Sequence, residues 1–365
     1  MASQVKKAAF TGLQISFTVA VLYMLLRDEK TRAVISKAMT HANYLWLLIG
    51  IAAYGVVELI AGYRWHLLLK VQGIILSKTR LWTLLLIGVF FNFFIPGGTG
   101  GDVVKIFYLV KEAPGKGAAA VLSVLVDRII GLFALILMAV AFICVRWHWL
   151  TATEQTTRYV WTALVVLAVA VAAVAFSFVV TGFGLVHRLP ARFPGRDKLA
   201  EVAMAYSLYG RAWPTSLLAL GTSIVAHIGY IFVFYCAARA YSTPTIHVPT
   251  FAEMCFIMPL INTIASLPIS FGGLGVREGL FQVFFSELAG VEKGVAFLIS
   301  STGFLLSAVW GAVGGVLYLF YRPTEHARLV TISEEVAELE HHVAEDEIAM
   351  EISEEEKEEE AAKHP

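Results

Sequence analysis

The chain has 365 residues, of which 58% are hydrophobic and 15% charged, with a mean hydropathy of +0.72. Apolar runs of this density exceed what a soluble core uses, so composition argues against a soluble domain, suggests no nucleic-acid partner and points to a multi-pass membrane protein. The formal net charge of zero conceals a division. Of 28 acids and 28 bases, fourteen acids and two bases lie from Thr331 onward, which leaves 14 acids against 26 bases, a net of +12, in the body.

In chain order, Lys6 and Lys7 precede the apolar run Ala8–Leu26. No small-x-small cleavage site comes before the charged stretch Arg27–Arg32, so the run reads as a signal anchor or first span. Tyr44–Leu69 is the next span and carries Glu58. Leu81–Pro96 has sixteen residues, about 24 Å as helix against about 30 Å of hydrocarbon. Its closing proline is followed by four glycines within five residues, then by the short apolar run Val103–Val110. Gly117–Val145, Tyr159–Gly182 and Trp213–Ala240 are long enough to cross. Between the last two, His187–Arg211 alternates bases with apolar residues and suits the surface of an anionic leaflet. Phe251–Phe285 repeats the interrupted pattern, as Met254–Pro268, Gly272–Gly275 and Leu280–Leu288, and Gly294–Tyr321 is the final span. The acidic segment 323–365 is expected to be a disordered cytoplasmic tail, because like charges resist compaction.

The two interruptions read FNFFIPGGTGGDVVK (Phe91–Lys105) and ASLPISFGGLGVRE (Ala265–Glu278). Each has a proline, a G-G-x-G core and flanking charge. Non-helical backbone within lipid survives only where protein packs around it or a polar cavity adjoins it, and paired interruptions in corresponding halves point to a transporter's binding site. Read as re-entrant hairpins, they leave six full spans; read as crossings, they give eight. The basic residues favour six spans with both termini cytoplasmic, since the five bases of 183–212 then lie inside. The expected architecture is an all-α polytopic membrane protein. An inverted repeat joins halves of about 8–146 and 159–322, with two Gly-rich re-entrant hairpins, in a transmembrane domain of 1–322.

Charges at membrane depth are costly and usually functional. Those expected there are Glu58, Asp102, Lys105, Asp127, Arg128, Arg277 and Glu278. Asp102 is expected to cap a half-helix beginning at Val103, with Arg277 and Glu278 in the matching place. Helix N-termini, close-approach glycines and nearby cations make a phosphate cradle. The candidate substrate-binding set is therefore Gly97, Gly98, Gly100, Gly101, Asp102, Lys105, Asp127, Arg128, Ser270, Gly272, Gly273, Gly275, Arg277 and Glu278. Adjacent Asp127 and Arg128 point about 100° apart on one helix and need separate partners. Asp127 with Arg277, and Arg128 with Glu278 or Asp102, meets that need. Structural pairing, contact with substrate and proton coupling are all compatible with this set. The lone Cys144, Cys236 and Cys255 read as small hydrophobes, and His66 and His227 as packing or interfacial residues. No metalloprotease, Walker A, nucleophile-elbow or dinucleotide motif occurs, and no metal or cofactor is expected.

Three stretches, FFIPGGTGGDVVK, AAAVLSVLVDRIIGLFAL and LPISFGGLGVREG, resemble the membrane region of lysylphosphatidylglycerol synthases, a flippase-like family that also occurs without the synthase domain. The likeness covers roughly Ala8 to Arg322. It implies a lipid-translocating or lipid-binding module in the cell (inner) membrane. Lys105 holds a place taken by arginine in many relatives, which keeps the charge but loses forked phosphate binding. The forty-four residues after Tyr321 are too few and too acidic for a synthase domain, so no enzyme activity is expected. The leading expectation is a flippase binding an anionic or aminoacylated phospholipid. The alternative is a non-transporting partner that presents a phospholipid or polyisoprenyl phosphate to a separate lipid-modifying enzyme.

Overall fold

The computed structural model describes residues 29–94, 100–113, 115–182, 207–267 and 273–321, with positions 23 and 27, and for 30, 94 and 173–182 the course of the backbone alone. Most of the expected first span, the loop 187–206, the acidic tail, and Gly97, Gly98, Ser270 and Gly272 lie outside the described residues.

The elements are helices α1 (Glu29–Thr40), α2 (Tyr44–Val71), α3 (Lys78–Phe94), α4 (Gly100–Glu112), α5 (Gly117–Leu150), α6 (Glu154–Gly182), α7 (Trp213–Ala240), α8 (Phe251–Ala265), α9 (Val276–Ala289) and α10 (Lys293–Phe320). Among the described residues, α2, α5, α6, α7 and α10 are long and apolar enough to cross a membrane. They coincide with five of the six expected spans, and the chain is an all-α polytopic membrane protein. The four helices flanking the interruptions are shorter, with 17, 13, 15 and 14 residues in α3, α4, α8 and α9.

Local signals set the helix ends. The Asn43 side chain accepts from the Leu45 N–H, and its own N–H donates to the Ala240 carbonyl at 2.7 Å, tying the start of α2 to the end of α7. Thr250 and Glu253 form a reciprocal capping box at α8. Glu112, closing α4, accepts from Arg80 of α3 and from the Tyr321 hydroxyl after α10 at 2.8 Å. This carboxylate gathers the ends of three helices.

Packing follows a reciprocal pattern. The most extensive contact is α2 against α7. Around that pair, α3 packs on α4 and on α10, whereas α8 packs on α9 and on α5. Likewise α4 meets α5 as α9 meets α10, and α2 meets α10 as α7 meets α5. The largest apolar cluster surrounds Phe234, Phe281, Phe284 and Phe285, joining α7 and α9 with α5, α8 and α10. A second, around Trp65, Leu84 and Leu109, holds α3 and α4 against α2 and α5.

The structure corrects the expected start of α4, which begins at Gly100 rather than Val103. The cause is close helix approach: a Cβ on Gly101 would lie 1.9 Å from the Gly88 carbonyl oxygen of α3. A residue without Cβ keeps the turn helical while α3 and α4 touch through backbone. In the second copy Gly273 and Gly275 have φ of +77° and +82° and stand outside the helix, Gly275 at the N-cap of α9.

Candidate functional site

A cavity of about 1010 Å³ lies among α2–α5 and α7–α10. Its uncharged polar groups are tyrosines, amides, serines and His227, and its charge comes from four helices: α2 brings Glu58 and Arg64, α4 Asp102 and Lys105, α5 Asp127 and Arg128, and α9 Arg277. These residues are far apart in sequence, and the reciprocal packing brings them to one space.

Arg64 and Asp127 make the most complete pair. Arg64 donates Nε to Asp127 Oδ1 at 2.7 Å, Nη2 to Oδ2 at 3.0 Å, and Nη1 to Ser223 Oγ at 2.9 Å. Both side chains are nearly buried, so this forked contact ties α2, α5 and α7 together in a setting where charge-assisted bonds are strong. The expected pairing of Asp127 with Arg277 is therefore incorrect. Arg64 escaped the sequence reading because Tyr63-Arg64-Trp65-His66 resembles an aromatic belt at a span end. The available signal was its position seven residues inside the end of α2.

Arg128 turns the other way, and its Nε donates to Asp102 Oδ2 at 2.6 Å. The two neighbours do take separate partners, on α2 and α4. Arg128 keeps 51% of its side chain exposed, which leaves the outer edge of the guanidinium open. Asp102 does not cap α4: Asn92 Oδ1 accepts the Gly101 N–H at 3.0 Å instead. The second Asp102 oxygen, Oδ1, is buried without a hydrogen bond among the described residues, and Lys105 Nζ stands 4.0 Å from it. Lys105 itself lies 4.5 Å over the Trp65 ring.

Arg277 pairs with its own neighbour. Glu278 reaches back to accept the Gly275 N–H at 2.6 Å through Oε2, which brings Oε1 to within 2.7 Å of Arg277 Nη2. Ser300 donates to the same oxygen at 3.0 Å. Arg277 also lies 4.7 Å from the Phe304 ring centre. The pair is buried, with Arg277 5% and Glu278 0% exposed. Arg128 is thus joined to Asp102, not to Glu278.

Of the candidate set, Asp102, Lys105, Asp127, Arg128, Gly273 and Arg277 line the cavity. Outside the lining, Gly100 and Gly101 are buried at the start of α4, where Gly101 meets α3, and Gly275 and Glu278 cap α9. Arg64, Tyr54, Tyr230 and His227 join the lining, and His227 Nε2 lies 3.0 Å from the Gly131 carbonyl oxygen.

A cavity lined by buried charges among apolar helices long enough to span defines a polytopic membrane protein that carries charge inside its helix bundle. Comparison with known families agrees. The chain belongs to the family described as the lysylphosphatidylglycerol synthase TM region, which matches residues 10–307. It is similar to a UPF0104 membrane protein of Pyrococcus horikoshii, 24% identical over 305 residues, covering 78% of this chain and 89% of that one. A UPF0104 membrane protein of Methanothermobacter thermautotrophicus is 25% identical over 285 residues, covering 72% and 81%.

Proposed function

We propose that this chain is a lipid flippase or lipid transporter of the cell (inner) membrane, taking the headgroup of an anionic or aminoacylated phospholipid into the central cavity. The observation that carries the reading is the convergence of Asp102, Lys105, Arg128 and Arg277, brought by α4, α5 and α9, on one cavity with a half-open guanidinium at Arg128. An open guanidinium suits a phosphate, and a lysine and arginine nearby add charge without demanding one geometry. Family membership supports a lipid-handling membrane module.

The architecture proposed for this activity is an inverted repeat. With α3/α4 and α8/α9 as re-entrant hairpins, each half makes three crossings, and an odd number sets the second half upside-down relative to the first. The short helices favour hairpins, since about 20 residues are needed to cross. The reciprocal packing favours two related halves. Both termini are then cytoplasmic, and the two hairpins enter from opposite faces. The activity is transport rather than group transfer.

Purified protein in liposomes of phosphatidylcholine and phosphatidylglycerol should accelerate leaflet exchange of a fluorescent anionic or aminoacylated lipid. Exchange no faster than in empty liposomes, across several headgroups and with a proton gradient, overturns the proposal. A stoichiometric lipid-modifying enzyme recovered with the inactive protein would then identify a lipid-presenting partner.

A further inference from the structure

One carboxylate in the cavity is left over when the pairs are assigned. Asp127 is held by Arg64, Asp102 by Arg128, and Glu278 lies behind the lining with Arg277. Glu58 lines the cavity from the middle of α2 and is 8% exposed, yet no lysine or arginine forms an ion pair with it among the described residues. The hydroxyl that interacts with it is Tyr54, one helical turn earlier. An acid inside a spanning helix is costly unless it is paired or carries a function, and proton relays are a recurrent one.

We infer that Glu58 is a proton-binding site that couples proton movement to lipid movement, an inference that rests on the transport reading above. The carboxylate takes a proton from cavity water on one side of the cycle and returns it to water on the other; no other bond changes. Its surroundings allow both states. From α2 itself it meets Tyr54 and Arg64, and from α4 Lys105, with Asp102 beyond. From α5 Asp127 is within electrostatic reach and Arg128 shares the lining, as do His227 and Tyr230 of α7, the Tyr230 ring centre 6.3 Å from that of Tyr54. Arg277 of α9 completes the cavity's charges, whereas α3 and α10 offer only uncharged Asn92 and Ser307. The fixed pairs keep their charges matched. Lys105 is the loosest cation, 4.0 Å from Asp102 and within electrostatic reach of Glu58. A proton on Glu58 weakens that pull and releases the lysine toward an incoming phosphate, so loading of the two sites is linked.

The full-length chain is reconstituted in phosphatidylcholine–phosphatidylglycerol liposomes holding a trapped pH dye, and exchange of fluorescent phosphatidylglycerol is followed with and without a proton gradient. The wild type should exchange lipid several-fold faster with the gradient and should acidify the lumen only when lipid moves. In Glu58→Gln the rates with and without the gradient should become equal, and lipid-linked proton entry should vanish. A gradient response retained by Glu58→Gln, or a wild type indifferent to the gradient or driven instead by sodium, overturns the inference while leaving transport intact. Absence of all exchange overturns the transport reading. Infrared difference spectra of the detergent-solubilised protein against pH keep Glu58 testable in that case. A titrating carboxylic-acid band lost in Glu58→Gln supports the site, and an unchanged band removes it. If Glu58→Gln fails to fold, Glu58→Asp should shift the titration midpoint of that band, and an unmoved midpoint counts against the site.

Discussion

Arg64 commits all three guanidinium nitrogens, two to Asp127 and one to Ser223. Removing one member of such a buried pair leaves the other charge without compensation, a cost of about 3–5 kcal/mol. Arg64→Ala should therefore lower the melting temperature in detergent sharply, and adding Asp127→Asn should recover much of the loss. A single variant that melts like the wild type would show that the pair does not hold α2, α5 and α7 together. Arg128 predicts the opposite division. Its pair with Asp102 is half-open, and exposed pairs contribute only about 0–1 kcal/mol. Arg128→Lys should leave melting nearly unchanged and reduce lipid exchange, because the forked geometry is lost while the charge stays. Unaltered exchange would remove Arg128 from the headgroup site. Asp127 and Arg128 were legible as residues needing separate partners, because adjacent helical positions diverge. Arg277 and Glu278 break that rule because the glutamate folds back onto the Gly275 N–H, a capping geometry that spacing alone does not reveal.

At the scale of elements, the α3/α4 pair depends on backbone contact between Gly88 and Gly101. A Cβ at position 101 would meet the Gly88 carbonyl carbon at 2.7 Å as well as its oxygen, and neither can swing aside as a side chain would. Gly101→Ala should separate the helices and destabilise the protein by about 1–3 kcal/mol, the usual cost of overpacking. Thermal melting reads this directly, and an unchanged midpoint would mean that α3 and α4 have slack. The spans themselves were legible from apolar run length, since hydrocarbon thickness sets a minimum. The start of α4 was not. Glycines after a proline read as a break, and the helical role of Gly101 depends on α3, a tertiary contact that no local pattern carries.

At the scale of the molecule, the short helices lean on helices distant in sequence, α3 on α10 and α8 on α5. The glycine cores recur visibly in the sequence, but which charges meet depends on how the helices pack, and Arg64 reaches Asp127 and Ser223 only because α2 lies against α5 and α7. The same packing leaves the cavity edge exposed between α4 and α5. Val103 and Leu125 line the cavity yet are 62% and 48% exposed, with half-open Arg128 beside them. Apolar residues at the rim of a charged cavity suit a ligand whose headgroup enters while its chains stay in lipid. This side opening gives a steric prediction. With the exposed Cys144 replaced by serine, Val103→Cys coupled to a bulky maleimide should block lipid exchange. Leu305→Cys, equally exposed at 62% but away from the cavity lining, should tolerate the same label. The melting temperature of each labelled protein checks that the fold survives. Equal exchange by both labelled proteins would mean that lipid enters elsewhere, and equal loss in both would assign the effect to labelling rather than to the opening.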